Sequence, residues 1–302
     1  MNKTYAFYIL DVFTEEPFGG NQLAVFPDAS GIPENYMQKL AREINFSESV
    51  YVLPPDNPKN SCKLRIFTPA REIPTAGHPT IGAAFLLLNK GYIKPSGDNN
   101  QLVFEEKIGD ILISYEKVNG SYTMITMNQP LPVFSTPVNE TEFIASVLSV
   151  EKSTLHTDYP VQAVSCGNNF LFVPVNRLKD MANIRIRTDL LDACKRRFGS
   201  AEIYVFTLET ADLKSTTHGR MFAPCFGITE DPATGSAAGP LGCYLVEYGI
   251  SDGRLIICEQ GYEMGRKSKL YVHIRKGESG IELVRVSGSA VTVGKGIFEI
   301  GI

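Results

Sequence analysis

Apolar and polar residues alternate in short runs along most of the chain, and at two places the alternation yields to a stretch that is apolar on nearly every side. Period-two alternation predicts strands over residues 5–12, 23–26, 50–53, 63–68, 102–106, 111–116 and 122–127, then over 202–207, 270–274 and 281–286. Helical spacing predicts helices over 34–43 and 189–198, the second capped by Thr188 and stopped by Gly199. The two apolar stretches carry Ile81, Ala83, Ala84, Phe85, Leu86, Leu87 and Leu88, and then Leu241, Cys243, Tyr244, Leu245 and Val246; they predict helices over 79–89 and 236–248. A helix without a polar face must be surrounded by protein, so each predicts a curled, mostly antiparallel sheet around a central helix. Strands come in clusters instead of alternating one for one with helices, which makes the fold class α+β.

The two stretches belong to a longer internal repeat. Arg65, Phe67 and Pro69 recur as Arg220, Phe222 and Pro224, and Ala76 and Gly77 find counterparts in Thr234 and Gly235. Upstream, Gly20-Asn21 resembles Gly167-Asn168, and Tyr51-Val52 resembles Tyr204-Val205. Four landmarks in the same order predict two pseudo-symmetric domains, residues 1–130 and 131–302, with the last strand free to return to the first. Pro130, Pro132 and Pro137 break helix and ladder bonding at the junction, and Asn139 or Thr141 caps the helix that follows.

Composition narrows the classes. The chain has 302 residues, 43% hydrophobic and 21% charged, with a net charge of −4. That is ordinary globular usage, and it leaves no basic footprint for nucleic acid or an anionic membrane surface. Its apolar runs fall far short of the ~20 residues that cross a bilayer, and its first residues contain no secretory apolar region. Six cysteines form no CxxC pair and no zinc spacing, so a reduced, cytoplasmic protein without a structural metal is expected.

Candidate chemistry gathers at the two helix starts. Gly77-His78-Pro79 reads as a helix start with Pro79 in first position, where exposed N–H groups favour an anion such as a carboxylate. The tripeptide also serves simply as a good helix start. In the second half Asp231 and Pro232 lead to Gly235 and Ser236, and Asp231 reads equally well as a cap. Gly235 and Gly239 call for backbone access or close packing, because glycine costs up to ~1 kcal/mol in a helix. Glu48 enters an apolar strand, where an acidic residue is a poor strand former. Aligning the tyrosines puts Ala201 at the corresponding place in the other half, so only one half carries the carboxylate. A single acid–base catalyst on a pseudo-symmetric frame would have that pattern.

Together these segments resemble the phenazine-biosynthesis PhzF-like family from Asp11 to about Val272. The resemblance is carried by Asp11, Phe18 to Val25, Asn45 to Ser49, Arg65 to Pro69 with Glu72, Ala76 to Gly82, Arg220 to Pro224, Glu230 to Ala237, and Gln260-Gly261 with Met264 to Arg266. It implies a diaminopimelate-epimerase-like fold with the active site between two domains. It further implies a homodimer and a cofactor-independent isomerase in a biosynthetic process, acting on a small carboxylate-bearing, cyclic substrate. Glu48 matches the family's proton-moving glutamate; His78, Asp231 and Ser236 match its other active-site residues. Gly77 and Gly235 match its substrate-contacting glycines, and Asn21 and Thr234 are assigned to substrate binding beside them. Gln22 and Lys267 stand where the family usually has proline, which bears on substrate identity more than on chemistry.

Two other readings stay open. An amino-acid epimerase of the same fold uses one thiol on each face of its substrate, but Ala76 and Thr234 hold those positions here. A non-catalytic module binding small acids would have no need of Glu48.

Overall fold

The structure, a computed structural model, describes residues 2–95 and 100–301, the side chains of Asn2 and Phe226 aside. It is a mixed α/β fold whose strands pair both parallel and antiparallel. The chain divides into two compact units, Met1–Asn128 with Ser287–Ile302, and Gln129–Val286.

The first unit runs β1 (Asn2–Val12), β2 (Asn21–Phe26), α1 (Glu34–Ile44), β3 (Glu48–Leu53), β4 (Cys62–Phe67), β5 (Glu72–Ile73), α2 (Gly77–Asn89), β6 (Gln101–Glu106), β7 (Gly109–Val118) and β8 (Ser121–Gln129). β2 lies antiparallel to β1 and parallel to β3, with Leu23 opposite Glu48. β4 is antiparallel to β3 and β5 and parallel to β6, and β6, β7 and β8 follow as an antiparallel meander. α1 buries Met37, Leu40 and Ala41 and ends where Asn45 takes a left-handed conformation, its N–H bonded to the Ala41 carbonyl. That turn delivers the chain directly into β3 at Glu48. At the head of β2, Gly20 has φ +57°, and a Cβ there would lie 2.2 Å from the Val12 carbonyl oxygen. Only glycine fits.

The second unit runs β9 (Val133–Phe134), α3 (Thr141–Leu148), β10 (Gln162–Ser165), β11 (Asn169–Pro174), α4 (Leu178–Met181), α5 (Leu191–Phe198), β12 (Ile203–Thr207), β13 (Thr217–Ala223), β14 (Ile228–Asp231), α6 (Gly235–Glu247), β15 (Ile256–Gln260), β16 (Ser268–Gly277) and β17 (Gly280–Gly288). Here β11 pairs parallel with β12, Leu171 opposite Ile203, and β13 is antiparallel to β12 and β14 and parallel to β15. The last strand, β18 (Ala290–Gly301), pairs antiparallel with β1 along its whole length.

Both apolar helices are enclosed as their composition demands. α2 is buried from Gly77 to Leu88 except Phe85 and packs on β1, β2, β3 and β18; α6 packs on β16, β10 and β11. The repeated arginines have a matching local role. Arg65 grips both carboxylate oxygens of Glu72 at 2.8 and 3.0 Å, and Arg220 grips those of Glu230, both at 2.8 Å. Each arginine thereby ties its strand to the next by a two-point bond.

Helix starts depart from the sequence expectation. α2 begins at Gly77, two residues before Pro79, and the proline is accommodated because first-turn N–H groups have no intrahelical acceptor. α3 and α5 start without a side-chain cap from Asn139, Thr141 or Thr188; residues 188–190 form a 3₁₀ turn before α5. Asp231 is not the cap of α6, since it closes β14 and Thr234 precedes the helix. Among the described residues no helix is long and apolar enough to cross a membrane.

Candidate active site

In the first unit the parallel pairing of β2 with β3 sets the heads of both strands beside the tip of α2. Three of the sequence-assigned residues meet there. Glu48 Oε2 lies 3.3 Å from His78 Nε2, and Asn21 Nδ2 lies 3.3 Å from His78 Nδ1. Ser47 Oγ donates to Asn21 Oδ1 at 3.0 Å, which turns the amide nitrogen of Asn21 toward the ring. Gly77 immediately precedes His78 at the helix start.

His78 is 4% exposed. Burial drives its pKa down to about 3 from the usual 6.5, and a hydrogen bond to the Gln22 backbone recovers only part of the loss. The ring is therefore neutral at physiological pH, and its 3.3 Å approach to Glu48 is a contact of a neutral ring with the carboxyl group and not an ion pair. A neutral imidazole at a helix N-terminus positions a carboxyl group without cancelling the field of the helix.

In the second unit the turn between β14 and α6 is held from inside. Thr234 Oγ1 donates to Asp231 Oδ2 at 2.5 Å. Gln260, at the end of β15, donates from Nε2 to the Asp231 carbonyl at 2.6 Å, while its Oε1 accepts the Thr234 N–H at 3.1 Å and the Tyr204 hydroxyl at 3.2 Å. Gly235 is the first residue of α6, and half-buried Ser236 follows it. Gly239 answers to packing, because a Cβ there would lie 2.9 Å from Val284 Cγ1 and closer still to Gln129.

Several participants were not singled out from the sequence. Gln260 appears there only as part of a motif, and its role as the hub of the turn depends on β15 lying beside β13. Ser47 is legible only as the neighbour of Glu48. Glu106, buried at the end of β6, contacts Thr80 of α2 at 2.5 Å. His218 sits between Glu259, 2.7 Å from Nδ1, and Glu263, 2.9 Å from Nε2. Burial alone would lower the His218 pKa, but the two carboxylates outweigh it and push the value up to about 9. A carboxylate two residues before Gly261 and another two after it were the available signal. A cavity of about 530 Å³ in this unit is lined by Arg185, Arg220, Glu230 and Glu263, and residues 231–236 are not among its lining residues.

The thiols lie elsewhere. Cys62, Cys166, Cys194, Cys243 and Cys258 are buried, and burial pushes Cys194 up to about 11 and Cys258 up to about 12. Cys225 is exposed on the 3₁₀ turn after β13.

Residues 10–296 match the family described as phenazine biosynthesis-like protein. The chain is 34% identical over 291 residues to a trans-2,3-dihydro-3-hydroxyanthranilate isomerase of Pseudomonas fluorescens, covering 96% of this chain and 98% of the relative. It is 32% identical over 301 residues to an uncharacterized isomerase of Clostridium acetobutylicum, covering 98% of each. The crystal structure of a PhzF-family phenazine biosynthesis protein of Bacillus anthracis superposes with a TM-score of 0.89 at 29% identity, over 99% of this chain and 100% of that one.

Proposed function

The chain belongs to the phenazine biosynthesis-like protein family and is an isomerase, and from that premise we propose that it moves a proton between two carbons of a small, cyclic, carboxylate-bearing metabolite, with Glu48 as the acid–base group. The observation that carries this reading is the Glu48–His78 contact of 3.3 Å at the buried tip of α2. A neutral ring and an amide held by Ser47 keep the carboxyl in one place without an ion pair that would make it a weaker base.

The step balances on one carboxyl group. Glu48 takes a proton as a C–H bond breaks, and the electron pair left behind spreads through the adjacent double bond toward the substrate's carboxylate. A new C–H bond forms at the far carbon when the same carboxyl returns the proton. The N–H groups of the Gly77-His78 turn stabilise the developing negative charge. We assign Asp231, Thr234, Gly235 and Ser236 to binding and orienting the substrate's polar groups, on the strength of the family resemblance. The pseudo-symmetric two-domain organisation, a homodimer and a cytoplasmic setting belong to the same proposal. Shared local roles of Arg65 and Arg220, and of the parallel pairs β2–β3 and β11–β12, support the first of these.

Proton NMR in heavy water tests the reading, with trans-2,3-dihydro-3-hydroxyanthranilate and a panel of cyclic unsaturated amino acids as probes. The wild type should incorporate deuterium or isomerise at least one probe, and Glu48→Gln should slow it by about 10²–10⁴-fold, the usual worth of a general acid–base group. Undiminished exchange in Glu48→Gln would end the assignment.

A further inference from the structure

Glu106 is a buried acidic side chain that the proposed chemistry does not use, and the hydrogen count around it is informative. Thr80 Oγ1 lies 2.6 Å from the Ala76 carbonyl and 2.5 Å from Glu106 Oε1. A hydroxyl has one hydrogen to give. If it goes to the carbonyl, which has no hydrogen of its own, the contact with Glu106 requires a proton on the carboxyl. The second oxygen points the same way. Glu106 Oε2 is buried with no hydrogen-bond partner, and among the described residues no ion pair reaches this side chain. A bare oxygen costs far less on a neutral acid than on a carboxylate.

The surroundings supply no compensating charge. Cys62 of β4 is the titratable group facing Glu106, and burial holds that thiol in its neutral form. Glu105, next in the strand, turns its carboxylate to the Asp56 and Asn57 N–H groups and to Asn60. Lys107 pairs with Glu72. Burial raises the Glu106 pKa to about 7 from the usual 4.5, with Thr75, Thr80 and Ala76 pulling the other way.

Ala76 is the residue before α2 and has no side chain able to cap it. We propose that Glu106, as a neutral carboxylic acid, is a positioning residue for the Glu48–His78 pair: it donates to Thr80, Thr80 donates to the Ala76 carbonyl, and this relay fixes the first turn of α2 and with it His78. Loss of the proton to solvent frees the Thr80 hydroxyl to turn from Ala76 toward the new carboxylate. The helix start then loses its tether, and His78 shifts against Glu48. The proposal rests on the acid–base reading of Glu48 for its catalytic meaning, but the displacement itself is measurable without substrate.

The test follows the ring resonances of His78 by proton–nitrogen NMR over about pH 5 to 9, a span that brackets Glu106 and excludes ionisation of His78 itself. His78→Gln identifies the signals. In the wild type they should pass through one step with its midpoint near that of Glu106. In Glu106→Gln, whose amide donates to Thr80 at every pH, the step should vanish and the signals should stay at the wild-type low-pH position. In Thr80→Val the step should also vanish, because the relay is cut. Absence of a step in the wild type, or an unchanged step in Glu106→Gln, overturns the proposal. Should Glu106→Gln not fold, an unchanged step in Thr80→Val does so. If Glu48→Gln retains proton exchange, the catalytic reading fails while the coupling of Glu106 to His78 is decided separately.

Discussion

Burial keeps His78 uncharged where a surface histidine would titrate, and the sign of the resulting pH effect is fixed. Its pKa falls from 6.5 to about 3 on folding, so between those values the unfolded chain holds a proton that the folded chain lacks. Stability therefore rises with pH across that window, at about 1.4 kcal/mol per pH unit for one proton, and is flat above it. Glu106 acts in the opposite sense. Its raised pKa, about 7 against 4.5, makes the folded chain the better proton binder, and its contribution is lost as pH rises between those two values. From 4.5 to 6.5 the two slopes oppose each other and nearly cancel. Urea unfolding at stepped pH separates them: the stability gap between wild type and His78→Gln should widen from about pH 3 to 6.5 and then hold constant. A gap that does not change with pH would mean that His78 charges in the folded state. His218 gives a third limb of the opposite sign, present below 6.5 and lost as pH rises toward about 9. His218→Gln should abolish it.

Helix α2 connects packing to the candidate site. Gly82 lies in its middle, and a Cβ there would come within 2.5 Å of Leu23 Cδ2 and 2.7 Å of Val12 Cγ2. Alanine gains up to ~1 kcal/mol of helix propensity, whereas overpacking a closed core costs ~1–3 kcal/mol, so the clash should win. Gly82→Ala is expected to lower stability in urea by about 1–2 kcal/mol. Because Leu23 stands in register with Glu48, it should also slow proton exchange. In the second unit, Gln260→Leu would leave the Asp231 carbonyl and the Thr234 N–H without their buried partner, each at ~1–3 kcal/mol, and thermal unfolding should register the loss. Elements of this strength were largely legible. Helical spacing placed α1 within a residue of its observed end, and the apolar stretches located α2 and α6 to within two residues at their starts. What escaped has a common cause. The two-residue strands β5 and β9 are too short to show a period, and β10, β11 and α4 lie where the alternation is weak. The contacts of Glu48 with His78, of Glu106 with Thr80 and of Gln260 with Thr234 all cross between elements, and residue spacing does not carry that information.

On the scale of the whole chain, the first unit is built from two pieces separated by the entire second unit. β18 supplies β1 with an antiparallel partner from Asn2 opposite Gly301 to Val12 opposite Ala290, while β2 holds only the Tyr8 to Val12 end of the other edge. The same strand contributes buried Ile300 and half-buried Phe298 to the cluster around Phe26, Met37 and Tyr51. Without it, Asn2 to Phe7 would be an unpaired strand edge beside an opened core, the combination that drives aggregation. A fragment of residues 1–128 should therefore fail to unfold cooperatively in urea and should aggregate. The remedy is short, because Thr126 Oγ1 lies 2.7 Å from Ser287 Oγ, so the chain leaves and re-enters the unit at nearly one point. Joining residues 1–128 to 287–302 through a few Gly and Ser residues should restore a cooperative transition, since a short flexible linker spans that gap at little entropic cost. The fused fragment would also retain Asn21, Glu48, His78 and Glu106, so the pH step in the His78 resonances should survive in it. A cooperative transition in residues 1–128 alone would show that β18 is an accessory to the first unit and not part of its fold.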